Sequence, residues 1–203
     1  MGTELRALLD ELEQRLDAFG APIAGAFRPG AAPERVRELL AAEGVPPHED
    51  LVTWWSWHDG VEIGASPVKH GPGIWYRAEN TVIGPWHVLS LADMVRIRRW
   101  YRETYDEAGL GHLLPASWAP VLTTDGAGEL CADAAAGGRA PLHILGEGYV
   151  EPPPPQFASL AELVELVLAV FDEGLIVPGP QDPHAPWADA ARLTGDKRRL
   201  AYW

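Results

Sequence analysis

Hydrophobic residues recur every three or four positions in several stretches of the chain, a spacing that places them on one face of a helix. In the first stretch this spacing runs from Leu5 to Phe19 and ends at Gly20, before Pro22. The same pattern, with glycine at the end, predicts helices over 33–44 and Glu49–Trp57. Two further helices are predicted over about 91–107 and 160–174, after the capping serines at 90 and 159.

Short apolar runs separated by glycine and proline lie between these helices and are typical of strands and turns. They are 61–63, 74–76 and 86–89 in the first half, and 121–123, 129–132 and 142–145 in the second. Runs of strands beside separate helices indicate an α+β fold. We therefore predict a mixed, largely antiparallel twisted sheet with helices packed on it, and a short helix over 187–193.

The length and composition of the chain predict its division into domains. A chain of 203 residues with 47% hydrophobic content suffices for one sizeable core. We expect a single domain over 1–177 and, after Pro178, a peripheral tail over 178–203 that is rich in proline, aspartate and histidine.

The charge balance narrows the range of partners. The formal net charge is −13, and the segment 121–178 holds nine acids and one arginine, which gives −8. Such a chain repels phosphate backbones and anionic membranes and attracts basic proteins, so nucleic acid and membrane are not expected partners. The same charges also suit a solvated surface that only keeps the protein soluble, and charge alone does not separate these two interpretations.

The N-terminus lacks the apolar stretch of a secretory signal, and the chain has a single cysteine. A protein with no disulfide and no leader is expected in the cytoplasm.

Candidate catalytic chemistry is sparse. No glycine-rich phosphate loop is present, and no two of the seven histidines lie on adjacent turns of a helix, so we expect no cofactor and no metal. The best enzymatic alternative pairs Cys131 as a nucleophile with His143 as its base on a neighbouring strand. Burial of a lone cysteine is the more ordinary interpretation. For His58-Asp59, a capping or turn role is likewise favoured over an acid/base pair.

Three groups of motifs together resemble the SUKH superfamily. The first runs from Pro46-Pro47 through Asp50-Leu51 and Trp54-Trp55 to His58-Asp59-Gly60. The second is Leu114-Pro115-Ala116-Ser117-Trp118-Ala119-Pro120, followed by Gly126-Ala127-Gly128-Glu129, where the family more often has Gly and Asp at the second and fourth positions of the hairpin. The third is the helix that begins around Phe157-Ala158-Ser159-Leu160. The resemblance spans about 35–174, so residues 1–30 and the tail lie outside it.

The resemblance implies a mixed sheet backed by helices, without catalytic residues. Many bacterial members are immunity proteins that neutralise toxins, often nucleases, and fungal members regulate cell-wall synthesis. We therefore expect a non-catalytic protein that binds a basic toxin domain; a regulatory or scaffold role on the same fold and a Cys-dependent hydrolase are the alternatives. The predicted partner-binding residues lie near the sheet and on the Trp-rich helix: Trp55, Glu62, Asp125, Glu129 and Asp133. The sequence does not indicate the oligomeric state.

Overall fold

The computed structural model describes residues 2–62, 68–70, 74–76, 82, 86–124, 128–146, 151–178 and 186–201. Within them the α-helices are α1 (Gly2–Phe19), α2 (Pro33–Ala42), α3 (Glu49–Trp57), α4 (Leu91–Glu107) and α5 (Leu160–Asp172). The first five strands are β1 (Phe27–Pro29), β2 (His58–Val61), β3 (Val68–His70), β4 (Ile74–Tyr76) and β5 (His87–Val88). The others are β6 (Trp118–Thr123), β7 (Glu129–Asp133), β8 (Leu142–Leu145), β9 (Ile176–Pro178) and β10 (Pro186–Ala188).

A four-stranded antiparallel sheet in the order β5-β6-β7-β8 forms the centre of the fold. Three separate antiparallel pairs are formed by β1-β2, β3-β4 and β9-β10. An irregularity in β6 between Pro120 and Leu122 shifts its register against β7. The combination of helices with antiparallel sheets confirms the predicted α+β class.

Helices cover both faces of the central sheet. Successive strand residues point to opposite faces, so Glu129 and Leu130 of β7 lie on opposite sides. Glu129 contacts Tyr101 of α4. Leu130 instead lines a small apolar cavity together with Leu12 of α1 and Val164 of α5. The core is thus divided into one layer under α4 and another under α1 and α5.

Local capping explains where the two most regular helices begin. The Ser90 hydroxyl accepts a hydrogen bond from the Asp93 amide at the start of α4. At α5 the Ser159 hydroxyl accepts from the Glu162 amide, while the Glu162 carboxylate accepts from the amide of Ala158, one residue before the N-cap, in a variant of the capping box. Both contacts use side chains within three or four residues, which is why the sequence pattern predicts these starts correctly.

The helix predicted over 187–193 is wrong. Residues Pro186–Ala188 form β10, which pairs antiparallel with β9, and a turn follows. A segment of seven residues gains too few helical hydrogen bonds to offset the cost of nucleation, so pairing with a neighbouring strand prevails.

The segment after β10 packs against α5. Leu193 and Leu200 are buried, and the Arg199 guanidinium binds the Glu162 carboxylate at 2.8 Å. Arg199 also lies over the Phe157 ring, 5.3 Å from its centroid. Residues of the segment predicted to be peripheral therefore contribute to the core beside α5.

Candidate functional site

The tryptophans of α3 lie in the core. Trp54, Trp55 and Trp57 have exposed fractions of 2%, 0% and 3%. The Trp55 indole N–H donates to the carbonyl of Leu89 at 3.0 Å, which joins α3 to the strand that precedes α4. With no exposed surface, Trp55 is not available as the predicted aromatic anchor, and we leave it out of the interface.

Glu129, a predicted interface residue, is also buried. Its carboxylate accepts hydrogen bonds from the Tyr101 hydroxyl and, at 3.3 Å, from the Thr123 hydroxyl. Burial raises the pKa of Glu129 to about 7, although these two hydrogen bonds favour the ionised form. Burial and the neighbouring carboxylate raise the pKa of Tyr101 in turn, so its hydroxyl remains a donor. Glu129 thus holds α4 on the sheet and does not face a partner.

The other predicted interface residues differ in position. Glu62 is exposed just after β2, and its amide donates to the carbonyl of Ala26 at 2.7 Å. Asp133 is half-buried at the end of β7, where its carboxylate accepts from the Ala135 amide at 3.0 Å in the turn that follows. Asp125 lies outside the described residues. Of the predicted set, Glu62 therefore remains a surface candidate, while Asp133 shapes a turn.

Cys131 and His143 stand directly opposite each other on β7 and β8, as the enzymatic alternative requires. The Cys131 side chain is completely buried, and burial raises the pKa of its thiol well above the usual range, which disfavours the nucleophilic thiolate. The His143 ring stacks on Trp118 at 4.3 Å, and its Nδ1 lies 2.8 Å from the carbonyl of Pro153. Cys131 is thus packed in the core, and His143 is held by stacking on Trp118 and by its contact with the Pro153 carbonyl.

The His58-Asp59 pair confirms the capping interpretation. The Asp59 carboxylate accepts from the amide of Leu91, the first residue of α4, at 2.7 Å. His58 stacks on Phe27, and its Nε2 lies 3.1 Å from the Glu13 carboxylate of α1. These first two residues of β2 therefore contact three other elements: α1, β1 and α4.

A buried arginine fixes the inner side of α4. The Arg98 side chain is fully buried and donates to the backbone carbonyls of Trp118, Glu43 and Ala116. Desolvation lowers the pKa of Arg98 to about 10, so the guanidinium remains charged at neutral pH. Because Glu43 is the C-cap of α2, this cation also lies at the negative end of that helix dipole.

The C-terminal turn of α4 forms an acidic end. Asp106 and Glu107 are exposed, form no ion pair with the described residues, and have no basic residue beside them in the last turn. The inner side of the same turns contacts the sheet at Glu129 and, through the Tyr105 hydroxyl, at the carbonyl of Gly146. The acidic end therefore lies beside the start of β7 and the end of β8.

The middle of α4 presents a face that the sequence reasoning missed. Trp100, 36% exposed, is the one large hydrophobic side chain exposed among the described residues. A shallow groove of about 420 Å³ surrounds it, lined by Ala92, Val95, Arg96, Arg99, Trp100 and Glu103. The signal was present in the sequence: Trp100 falls outside the apolar stripe that predicts the helix.

The described residues contain no group of three or more His, Cys, Asp or Glu side chains arranged to hold a metal ion. None of their helices combines the length and the apolar composition needed to cross a membrane. Comparison with models of known protein families gives no match, and neither does comparison with curated proteins.

Proposed function

We propose that this chain is a non-catalytic, SUKH-like immunity protein that binds a basic toxin domain, such as a nuclease, in the cytoplasm and neutralises it. Support comes from the ordered motifs over 35–174 and from the formal charge of −13. The motif residues also have coherent local roles. Asp59 caps α4, and Trp118 supplies a carbonyl to the buried Arg98.

The acidic end of α4 is the observation that carries this proposal. Carboxylates at a helix C-terminus are unfavourable, because the helix dipole places negative partial charge there. Asp106 and Glu107 therefore reduce the stability of α4, by up to about 1 kcal/mol each when exposed. Binding a positively charged partner relieves this repulsion. Partner binding, and not the stability of α4, therefore accounts for these two residues.

Several cations of the protein pair with acids of the same molecule. Glu43 pairs with Arg99 at 2.7 Å, and Lys197 pairs with Glu173 at 2.9 Å. Cations held in this way balance charges of the same molecule and leave the exposed acids in excess. A nuclease has a basic cleft for its phosphate substrate, and opposite fields accelerate its encounter with an acidic protein.

Co-expression tests the function directly. A toxin domain encoded by the neighbouring gene should stop growth when expressed alone, and this chain should restore growth. The purified pair should form a one-to-one complex whose association rate falls as salt is raised. Absence of rescue and of binding would refute the immunity proposal.

A charge variant then tests the acidic end. Asp106→Asn with Glu107→Gln should slow association with the toxin several-fold and weaken its salt dependence. The matched control is Glu4→Gln with Asp17→Asn, which removes the same charge from exposed positions on α1. Equal effects of the two double variants would show that only net charge matters.

A further inference from the structure

The outer face of α4 has a charge pattern that changes sign at its centre. Arg96 and Arg99 lie on the N-terminal side of Trp100, and Glu103 lies one turn beyond it. All four side chains are exposed and line the same groove. Such a surface is electrostatically complementary to a second copy of itself packed in the antiparallel direction.

The spacing makes this complementarity specific. Consider two α4 helices that cross antiparallel about a two-fold axis between residues 99 and 100. Residue n of one copy then faces residue 199 − n of the second copy. Arg96 then faces Glu103 of the second copy, and Arg99 faces the second copy's Trp100. Each contact occurs twice because the interface is isologous. The second pairing is suited to a cation–π interaction.

We propose that the outer face of α4 is a homodimer interface, with a second copy of this chain packed antiparallel across Trp100. This proposal does not depend on the immunity function. The contact covers the one large hydrophobic side chain that is exposed among the described residues, which is the residue type that most often anchors protein interfaces.

The existing ion pairs of the two arginines are compatible with this contact. Arg96 pairs with Asp93 of the same helix and Arg99 with Glu43 of α2, yet their side chains remain 45% and 64% exposed. The guanidinium group has five N–H donors, so each arginine can keep its intramolecular partner while it contacts the second copy.

The acidic end remains free in such a dimer. Packed helices most often cross at about −50°, which confines close contact to the central turns and separates the helix ends. Asp106 and Glu107 lie near the C-terminal end of α4 and would stay exposed. Each dimer would then present two acidic ends.

Sedimentation equilibrium of the full chain, from about 1 μM to about 1 mM, tests the proposal, since small interfaces associate in this range. The wild type should show a reversible monomer–dimer equilibrium. Arg96→Glu and Glu103→Arg should each weaken dimerisation about tenfold or more, because each places like charges opposite one another twice. The double variant, Arg96→Glu with Glu103→Arg, should return the dissociation constant to within about threefold of wild type.

Two further variants distinguish disruption of the interface from the general effect of a substitution on the protein. Trp100→Ala should weaken the dimer, whereas Glu165→Arg, an exposed charge reversal on α5, should leave it unchanged. Circular dichroism would verify that each variant is folded. A chain that remains monomeric over the whole range, or a double variant that dimerises no better than the single ones, would overturn the proposal. Loss of toxin binding by Trp100→Ala, together with a wild type that stays monomeric over the whole range, would assign this face to the toxin instead.

Discussion

Replacing Glu129 by glutamine should stabilise the protein at alkaline pH and leave it almost unchanged at acidic pH. The glutamine side chain has nearly the same shape and no charge. Its carbonyl can accept from the Tyr101 hydroxyl, and its amide can donate to the Thr123 hydroxyl, so both contacts of the native carboxylate are retained. The substitution therefore isolates the effect of ionising a carboxyl group beneath α4.

The magnitude follows from the pKa of Glu129, which burial raises from 4.5 to about 7. Because the folded-state pKa lies above that of the unfolded chain, the stability associated with the protonated group is complete below pH 4.5. It is lost as the pH rises through about 7. A shift of this size corresponds to about 3 kcal/mol at pH 8. At pH 5, where most of the carboxyl is protonated in the folded state, the difference should be less than about 1 kcal/mol.

Urea unfolding followed by tryptophan fluorescence, repeated between pH 5 and pH 8, measures this difference. The free energy of unfolding of Glu129→Gln should exceed that of the wild type by an amount that grows with pH. Glu165→Gln removes an exposed carboxylate and should show no such trend. A constant difference between Glu129→Gln and wild type across this range, or a variant less stable than wild type at pH 8, would refute the account of Glu129.

Two further substitutions test how the layers are joined. Arg98→Met should lower the free energy of unfolding by about 2–4 kcal/mol, because buried backbone carbonyls lose their donor. Urea unfolding measures this loss of stability. Arg139→Met, at an exposed position, serves as the control. Leu200→Ala should cost about 2–4 kcal/mol, because Leu200 is buried against the apolar cavity between α1 and α5. A change below about 0.5 kcal/mol in thermal unfolding of Leu200→Ala would mean that the C-terminal segment is not part of the core.

The five α-helices and the four strands of the central sheet were predictable because their signals are local. Ser90 and Ser159 mark helix starts through hydrogen bonds to amides three residues away. The strand predicted at 142–145 coincides with β8, and the one predicted at 121–123 begins earlier, at Trp118. Pairing extended this second strand, since Trp118 and Ala119 are partners of β7 residues far along the chain.

The candidate interface was predicted less well because burial is a property of the packed molecule. Glu129 is an acid in a hairpin motif, and nothing near it in the sequence shows that Tyr101, 28 residues away, would cover it. Trp55 lies beside Trp54 and Trp57, and the helical spacing allowed at most one or two of the three to face outward. The packing of α3 against neighbouring helices buries all three.

The amino-acid sequence by itself determined the α+β class, the positions of the five α-helices and the excess of negative charge. Periodicity, caps and composition act within one or two turns or are simple sums, so they need no knowledge of the fold. Only the tertiary structure decided which acids are buried and that Asp59 caps a helix 32 residues later. These outcomes depend on contacts between distant segments, which exist only when the whole chain has packed.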